Sequence, residues 1–563
     1  MVAIGALVAA VALVAAILLV RDGEDPGEQV VQRFAVAWEK GDVAGMYATL
    51  SDGARERTPI KAFASAYRRA AATATARGVR TGEPARDGGS WRLPVRTSTR
   101  IFGTVRGDVR LALEGPSEEP GIAWRAETAF PGLRTGERLR RQTRMPVRGT
   151  LLARDTTPLA RGAERGSPLG GLEGSVVGRL GSIPSDRRAR LRQLGVPTGT
   201  QVGLTGLERI FDERLLGRPG GRLLAGTRVL ATRQPRKAPA VRTTLALGVQ
   251  RAAVAALAGR LGGIVALEPR TGEVLAFAGI AFSGLQPPGS TFKVITLTGA
   301  LEARLTGPGS SYPVQTEAVL EGVALENANG ESCGGSLRAS FAESCNSVFA
   351  PLGARLGARR LVDVAERFGF NRAPDIPGAA TSVIPPADDI GDALAVGSSA
   401  IGQGRVQATA LQMADVAATI ALRGRRPALT LDLEQSGDRA PGPRIIEPRI
   451  ARTVERLMLA VVSEGTGTGA AIPGVRVAGK TGTAELRTTA RCEPDPERAG
   501  GDESCPPEQN ADTTDTDAWF TAYAPAGRPR VAVGVLLVAS GAGGDTAAPA
   551  ARAIMVAALR RRG

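Results

Sequence analysis

The chain has 563 residues, 43% hydrophobic but only 4% aromatic, so it is long enough for several domains whose cores rest on Ala, Val, Leu and Ile. Its 71 Lys and Arg against 55 Asp and Glu give a net charge of +16, yet the basic residues are scattered and not interleaved with aromatics, which reads as ordinary solvated surface, or else as affinity for an acidic envelope, and not as a nucleic-acid site. There is no histidine, which excludes Ser-His-Asp and Cys-His catalysis and every His-ligated metal.

In chain order, Met1 to Val20 carries no charged side chain and is long enough to span a bilayer. It is apolar to its last residue, Arg21 follows directly, and no small-residue cleavage site with a polar flank ends it. An uncleaved anchor over residues 1–20 is therefore expected, with the remaining mass outside the cytoplasmic membrane. Residues 25–135 have the pattern of a small α+β domain. Val30, Phe34 and Trp38 recur every four residues on one helix face, Asp42 suits a second helix as its cap, and Pro59 suits a third carrying Ile60, Phe63 and Tyr67. Val109, Leu111 and Leu113 then alternate with Arg110 and Ala112 as a strand does.

Residues 140–240 are rich in Gly, Arg and Pro. From 241 to 563 the texture shifts to longer apolar runs. Gln250 to Leu261 is expected as a helix, Gly263 to Ala278 as two strands around a turn at Pro269-Arg270-Thr271-Gly272, Val531 to Val538 as a buried strand and Pro549 to Leu559 as a helix. Strands at both ends of a helical middle suit one α+β domain.

Without imidazole, a base must come from a carboxylate, an amine or a thiol. Only five of the basic residues are lysines: Lys40, Lys61, Lys237, Lys293 and Lys480. Arginine does not lose its proton in proteins, whereas a desolvated lysine does, so a lysine kept in an arginine-rich chain marks a candidate base. Lys293 closes the run Pro287-Pro288-Gly289-Ser290-Thr291-Phe292-Lys293. The prolines and glycine stop a strand and let a helix start near Ser290, which places Ser290 and Lys293 on one face, three residues apart. A hydroxyl at a helix N-terminus, one turn from an amine of lowered basicity, is a histidine-free nucleophile pair.

Two further motifs follow in order. Ser344-Cys345-Asn346 comes 54 residues after Ser290, and Lys480-Thr481-Gly482-Thr483 begins 134 residues after Asn346. Together the three motifs resemble those of penicillin-binding proteins and serine β-lactamases. Thr205-Gly206-Leu207-Glu208-Arg209 with Phe211-Asp212-Glu213-Arg214-Leu215, and less closely Arg148-Gly149-Thr150 to Ala160, resemble the dimerisation or pedestal module of class B penicillin-binding proteins. The 25–135 segment resembles the nuclear-transport-factor-2-like domain of methicillin-resistance-type transpeptidases.

The resemblance implies a multidomain α+β chain: an N-terminal transmembrane helix, a small α+β cone-like domain, an extended pedestal over 140–240, and a C-terminal β-lactamase-like transpeptidase domain over 241–563 with an antiparallel sheet flanked by helices. It implies a peptidoglycan D,D-transpeptidase acting on the D-Ala-D-Ala of stem peptides. Such an enzyme takes β-lactams as covalent inhibitors, has a SEDS-type glycosyltransferase as partner, and needs no cofactor or metal.

Carried over residue by residue, Ser290 is the nucleophile and Lys293 its base. Ser344 relays a proton, Asn346 bonds the substrate peptide, and Lys480 supplies fixed positive charge. Thr481 and Thr483 hold the substrate carboxylate, Gly482 allows close approach, and the Ser290 and Thr483 N–H groups form the oxyanion hole. The family often has His or Asn where this chain has Asp517, and Pro where it has Ala410.

Other readings stand beside this one. Gly474 to Thr481 fits the Walker A pattern, but Val475-Arg476-Val477 alternates as a strand into Lys480 and only about 80 residues follow. The three motifs also suit a D,D-carboxypeptidase or β-lactamase, in which water takes the acyl group, or a silent scaffold or β-lactam sensor. Cys333, Cys345, Cys492 and Cys505 allow three pairings, of which the local ones, Cys333 with Cys345 and Cys492 with Cys505, close the shortest loops. Free thiols or a four-cysteine zinc site are the alternatives, the latter lacking any Cys-x-x-Cys pair.

Overall fold

The structure, a computed structural model, describes residues 25–166, 176–436, 442–485 and 516–561. The expected anchor, Cys492 and Cys505 lie outside the described residues. Among the described residues no helix is long and apolar enough to cross a membrane. The chain divides into two compact units. One runs through Gly149 and takes in Leu180–Val202 and Glu213–Pro239; the other combines Thr150–Arg179, Gly203–Asp212 and the chain from Ala240 onward. Residues 140–240, expected as one module, are thus shared between the two.

In the first unit, α1 (Pro26–Lys40) starts where the Asp25 carboxylate accepts the Gly27 N–H at 2.8 Å, and it buries Val30, Phe34 and Trp38. Asp42 caps α2 (Val43–Ala48) by accepting the Gly45 N–H at 2.9 Å. After α3 (Asp52–Arg57), Pro59 precedes α4 (Ile60–Ala74), which buries Phe63 and Tyr67. An antiparallel sheet follows in the order β1 (Ala76–Thr81), β3 (Ser90–Thr99), β4 (Thr104–Glu114) and β5 (Gly121–Ile122), with β2 (Ala85–Asp87) on β3. Val105, Val109 and Leu111 of β4 face the core while Arg106 and Arg110 face water. Aromatic rings fill that core, and the Trp124 indole donates to the Tyr67 hydroxyl at 3.2 Å.

The second unit is built around a five-stranded antiparallel sheet. Before it, the buried carboxylate of Glu208 accepts from Arg165 Nε at 2.6 Å and Asp212 accepts the Gly203 N–H at 2.7 Å. Two carboxylates of the pedestal-like motif, Glu208 and Asp212, are thus buried and partnered, while its Arg209 and Glu213 face solvent. The helix α5 (Leu247–Leu257) leads into β6 (Gly262–Glu268) and β7 (Glu273–Gly279), whose residues are almost all buried. The helix α6 (Lys293–Glu302) follows. Two small hairpins come next, β8 (Ser311–Gln315) pairing with β11 (Cys333–Ser336), and β9 (Glu317–Leu320) pairing with β10 (Val323–Glu326). Then come α7 (Leu337–Ala342), α8 (Asn346–Leu356), α9 (Ala410–Ala421) and α10 (Pro448–Ser463). The chain closes with β12 (Ala478–Glu485), β13 (Thr516–Ala524), β14 (Val531–Leu537) and α11 (Ala548–Arg560). The sheet order is β7-β6-β14-β13-β12, which leaves β12 at an edge.

Every residue of α9 is buried, the polar Gln412, Asp415 and Thr419 included, and Asp415 is paired with Arg426 Nε at 2.6 Å. It lies against β14 at Gly534, where a Cβ would stand 2.1 Å from the Ala410 carbonyl oxygen. Gly534→Ala is therefore expected to lower unfolding stability by about 1–3 kcal/mol, the usual range for overpacking against backbone. Urea denaturation measures this, and an unchanged midpoint would mean that α9 does not pack as described.

Candidate active site

Ser290 lies on a single 3-10 turn, Gly289–Phe292, that runs into α6. The expected helix start is therefore tighter than an α-turn. The turn is fixed by the Gly289 N–H donating to the Gly402 carbonyl at 3.0 Å and by the Thr291 hydroxyl donating to the Pro288 carbonyl at 2.6 Å. Ser290 is half-buried and Lys293 is wholly buried.

The structure brings all three motifs together. Lys293 Nζ donates to the Ser344 carbonyl at 2.5 Å and to Asn346 Oδ1 at 2.7 Å, with Ser344 Oγ at 3.4 Å. Lys480 Nζ donates to Ser344 Oγ at 2.8 Å and to the Thr481 carbonyl at 3.2 Å. One hydroxyl thus stands between two buried lysines, whose nitrogens lie within about 6 Å of each other. Two unit charges at that separation repel by roughly 3 kcal/mol at an effective dielectric of about 20.

Electrostatics follow from burial. Desolvation pushes Lys293 well below the ordinary lysine range, and the neighbouring Lys480 pushes it further. Desolvation also pulls Lys480 down, to about 7, against the pull of Glu343, which favours its charged form. The apolar wall is aromatic: Lys293 Nζ stands 5.7 Å from the Phe349 ring centre and Lys480 Nζ 5.6 Å from that of Phe341. A neutral amine has two N–H donors and one lone pair. The two short bonds to Ser344 O and Asn346 Oδ1 use both donors of a neutral Lys293 and leave the lone pair free to take a proton. Among the described residues the Ser290 hydroxyl has no hydrogen-bond partner, and Lys293, three residues on, meets Ser344 and Asn346; catalytic hydrogen bonds commonly tighten only once substrate is bound.

Ser344 occupies the turn between α7 and α8 with φ at 67°, a left-handed conformation that costs an L-residue roughly 1–2 kcal/mol. The next residue, Cys345, is buried and joined by a disulfide to Cys333. Asn346 opens α8, and its Nδ2 donates to the Glu326 carbonyl at 2.8 Å.

Lys480 and Gly482 lie on the edge strand β12, opposite Thr521 and Trp519 of β13. A Cβ on Gly482 would stand 2.7 Å from the Pro288 carbonyl oxygen, so the strand runs directly against the Ser290 turn. Thr481 Oγ1 shares a 2.6 Å hydrogen bond with Thr466 Oγ1, and Thr483 Oγ1 accepts the Gly543 N–H at 3.5 Å. Because Lys480 and Thr481 stand inside an antiparallel strand and open no helix, the Walker A reading has no phosphate loop to rest on. Asp517 lies opposite Ala484 and is buried, which raises its carboxyl toward the neutral form.

Four contributors carry no signal strong enough to be found by spacing: Thr466, the carbonyl of Gly402, and the rings of Phe341 and Phe349. They reach the site from separate parts of the chain and belong to residue types common in any core.

The family model for the penicillin binding protein transpeptidase domain matches residues 262–556. The peptidoglycan D,D-transpeptidase PbpA of Mycolicibacterium smegmatis is 36% identical over 429 residues, 63% of this chain and 80% of that protein. The penicillin G acyl-enzyme complex of penicillin-binding protein A from Mycobacterium tuberculosis is similar in structure, with a TM-score of 0.56 and 28% identity, covering 74% of this chain and 100% of that one. Pseudomonas aeruginosa PBP2 in complex with WCK 5153 has a TM-score of 0.61 and 25% identity, covering 76% of this chain and 97% of that one. The chain belongs to the penicillin-binding protein transpeptidase family, in its class B branch.

Proposed function

We propose that the chain is a peptidoglycan D,D-transpeptidase that acylates Ser290 with a donor stem peptide, and that β-lactams acylate the same residue. The observation that carries this reading is the Ser344 hydroxyl held between Lys293 and Lys480 beside the Ser290 turn.

In this reading neutral Lys293 takes the Ser290 proton as Oγ attacks the penultimate D-Ala carbonyl of the donor. The oxyanion forms against the Ser290 and Thr483 N–H groups. The bond to the terminal D-Ala then breaks, and Ser344, polarised by Lys480, passes a proton to the departing amine while Lys293 returns its own to Ser344. Lys480, Thr481 and Thr483 hold the terminal carboxylate, and Asn346 holds the donor peptide. An acceptor amine reverses the sequence and forms the cross-link. Edge strand β12 suits an extended peptide added to the sheet. In a β-lactam the nitrogen released by ring opening stays tethered, so the acyl-enzyme persists.

The wider architecture belongs to the same proposal. The uncharged run Met1 to Val20 supports a single-pass anchor with the catalytic domain outside the cytoplasmic membrane. Helices followed by an antiparallel sheet support a nuclear-transport-factor-2-like domain over 25–135. The Thr205 to Leu215 motif supports a pedestal. A SEDS-type glycosyltransferase as partner rests on class B membership.

Labelling with a fluorescent penicillin tests the reading. Wild type should form a stable adduct that is absent in Ser290→Ala; rapid release of the opened drug would instead mark a hydrolase. Lys293→Arg keeps charge and loses basicity, and should acylate about 10²–10⁴-fold more slowly, the usual worth of general-base catalysis; normal labelling of that variant would contradict the role.

The second-order acylation rate should also be bell-shaped in pH. It rises as Lys293 sheds its proton, and it falls as Lys480 loses its charge near its value of about 7 in the free protein. Saturation with the carboxylate-bearing drug favours charged Lys480 and should move the basic limb to higher pH. A free-protein rate that climbs steadily through the alkaline range would contradict the assignment of Lys480.

A further inference from the structure

Ser344 and Asn346 are each one peptide bond from Cys345, and between them they meet both buried lysines. The turn that carries them is held in a left-handed conformation at a residue other than glycine. Two backbone bonds close the end of α7 around it, the Ser344 N–H donating to the Phe341 carbonyl at 3.3 Å and the Cys345 N–H to the Ser340 carbonyl at 2.9 Å, but both lie within the turn and its own helix and do not tie it to the rest of the fold.

The other end of the disulfide is better fastened. Cys333 sits on β11 opposite Gln315 of β8. The loop before it is tied down by Asn327, whose Nδ2 donates to the Gln315 and Glu331 carbonyls at 2.8 and 2.9 Å. Asn327 Oδ1 in turn accepts the Ser347 N–H at 2.9 Å, at the start of α8. The Cys333–Cys345 bond spans 12 residues of sequence and connects this anchored hairpin to the residue between Ser344 and Asn346.

We propose that the Cys333–Cys345 disulfide is a positioning element for acyl transfer, holding Ser344 and Asn346 in register with Lys293 and Lys480, so that the rate of acylation depends on the oxidation state of this pair. The inference rests on the transpeptidase reading. A displacement near 1 Å at Ser344 would open its contacts to both lysines, and misplacement on that scale costs on the order of 10²-fold in rate. A dithiol reductant would break the S–S bond to two thiols, at Cys333 and Cys345, and close into its own cyclic disulfide as two electrons pass.

The test is acylation of the full chain by fluorescent penicillin, resolved into the dissociation constant of the initial complex and the rate of the chemical step, with endpoint stoichiometry as the count of competent sites. The double variant Cys333→Ala/Cys345→Ala should keep near-full stoichiometry and a similar dissociation constant while its chemical step slows about 10- to 100-fold. Wild type treated with dithiothreitol should behave likewise and recover on reoxidation, which gives the comparison without a substitution. A chemical step within twofold of wild type in the variant, or in reduced wild type should the variant not fold, overturns the inference. So does a rate loss matched by lost stoichiometry, since that marks global unfolding. Failure of wild type to label at Ser290 would instead overturn the transpeptidase reading itself.

Discussion

Two amines that cannot comfortably both be charged share one hydroxyl, and the rest of the site is arranged to hold that hydroxyl still. Ser344 Oγ lies 2.8 Å from Lys480 Nζ and 3.4 Å from Lys293 Nζ, with both lysines wholly buried. Burial weakens both cations, and their mutual repulsion leaves one positive charge as the favoured state. Which lysine keeps it is set by surroundings. Lys480 has the carboxylate of Glu343 pulling toward the charged form, whereas the electrostatic neighbour of Lys293 is Lys480 itself. The same protein interior thereby makes one lysine the base and the other the favoured carrier of the single positive charge, with no imidazole available.

The fold supplies three independent supports that converge on this point. The edge strand β12 carries Lys480 and runs against the Ser290 turn at Gly482, where no side chain intervenes. The 3-10 turn before α6 sets Ser290 and Lys293, and the Gly402 carbonyl fastens its first residue. The strained turn between α7 and α8 brings Ser344 and Asn346 from a third direction. Each support is anchored in a different part of the second unit. A shift in any one of them changes distances to the other two.

Much of this was legible in the sequence because it rests on residue types that have few substitutes. The absence of histidine and the scarcity of lysine narrow the candidate amine bases to five side chains, from which the motifs select Lys293 and Lys480. Alternation and four-residue recurrence located the strand holding Val109 and the helix face of Val30, Phe34 and Trp38. What spacing could not reach was geometry created by tertiary contact. At the turn that carries Ser290, the first N–H is accepted by Gly402, more than a hundred residues away. Lys293 rests on Ser344 and Asn346, not on the Ser290 hydroxyl, because those acceptors come from another helix. The division of residues 140–240 between two units likewise follows from long-range packing and has no local signature.

The chemistry of the site turns on the charge of Lys293. Five lysines make the side-chain nitrogens of this protein countable by 15N NMR after lysine-specific labelling, with Lys293→Arg and Lys480→Arg assigning the two buried signals. At neutral pH Lys293 should show the shift and two-proton coupling of a neutral amine, while the Lys480 signal moves through its titration in the same range. An ammonium signal for Lys293 that persists into the alkaline range alongside a charged Lys480 would contradict the account at its root.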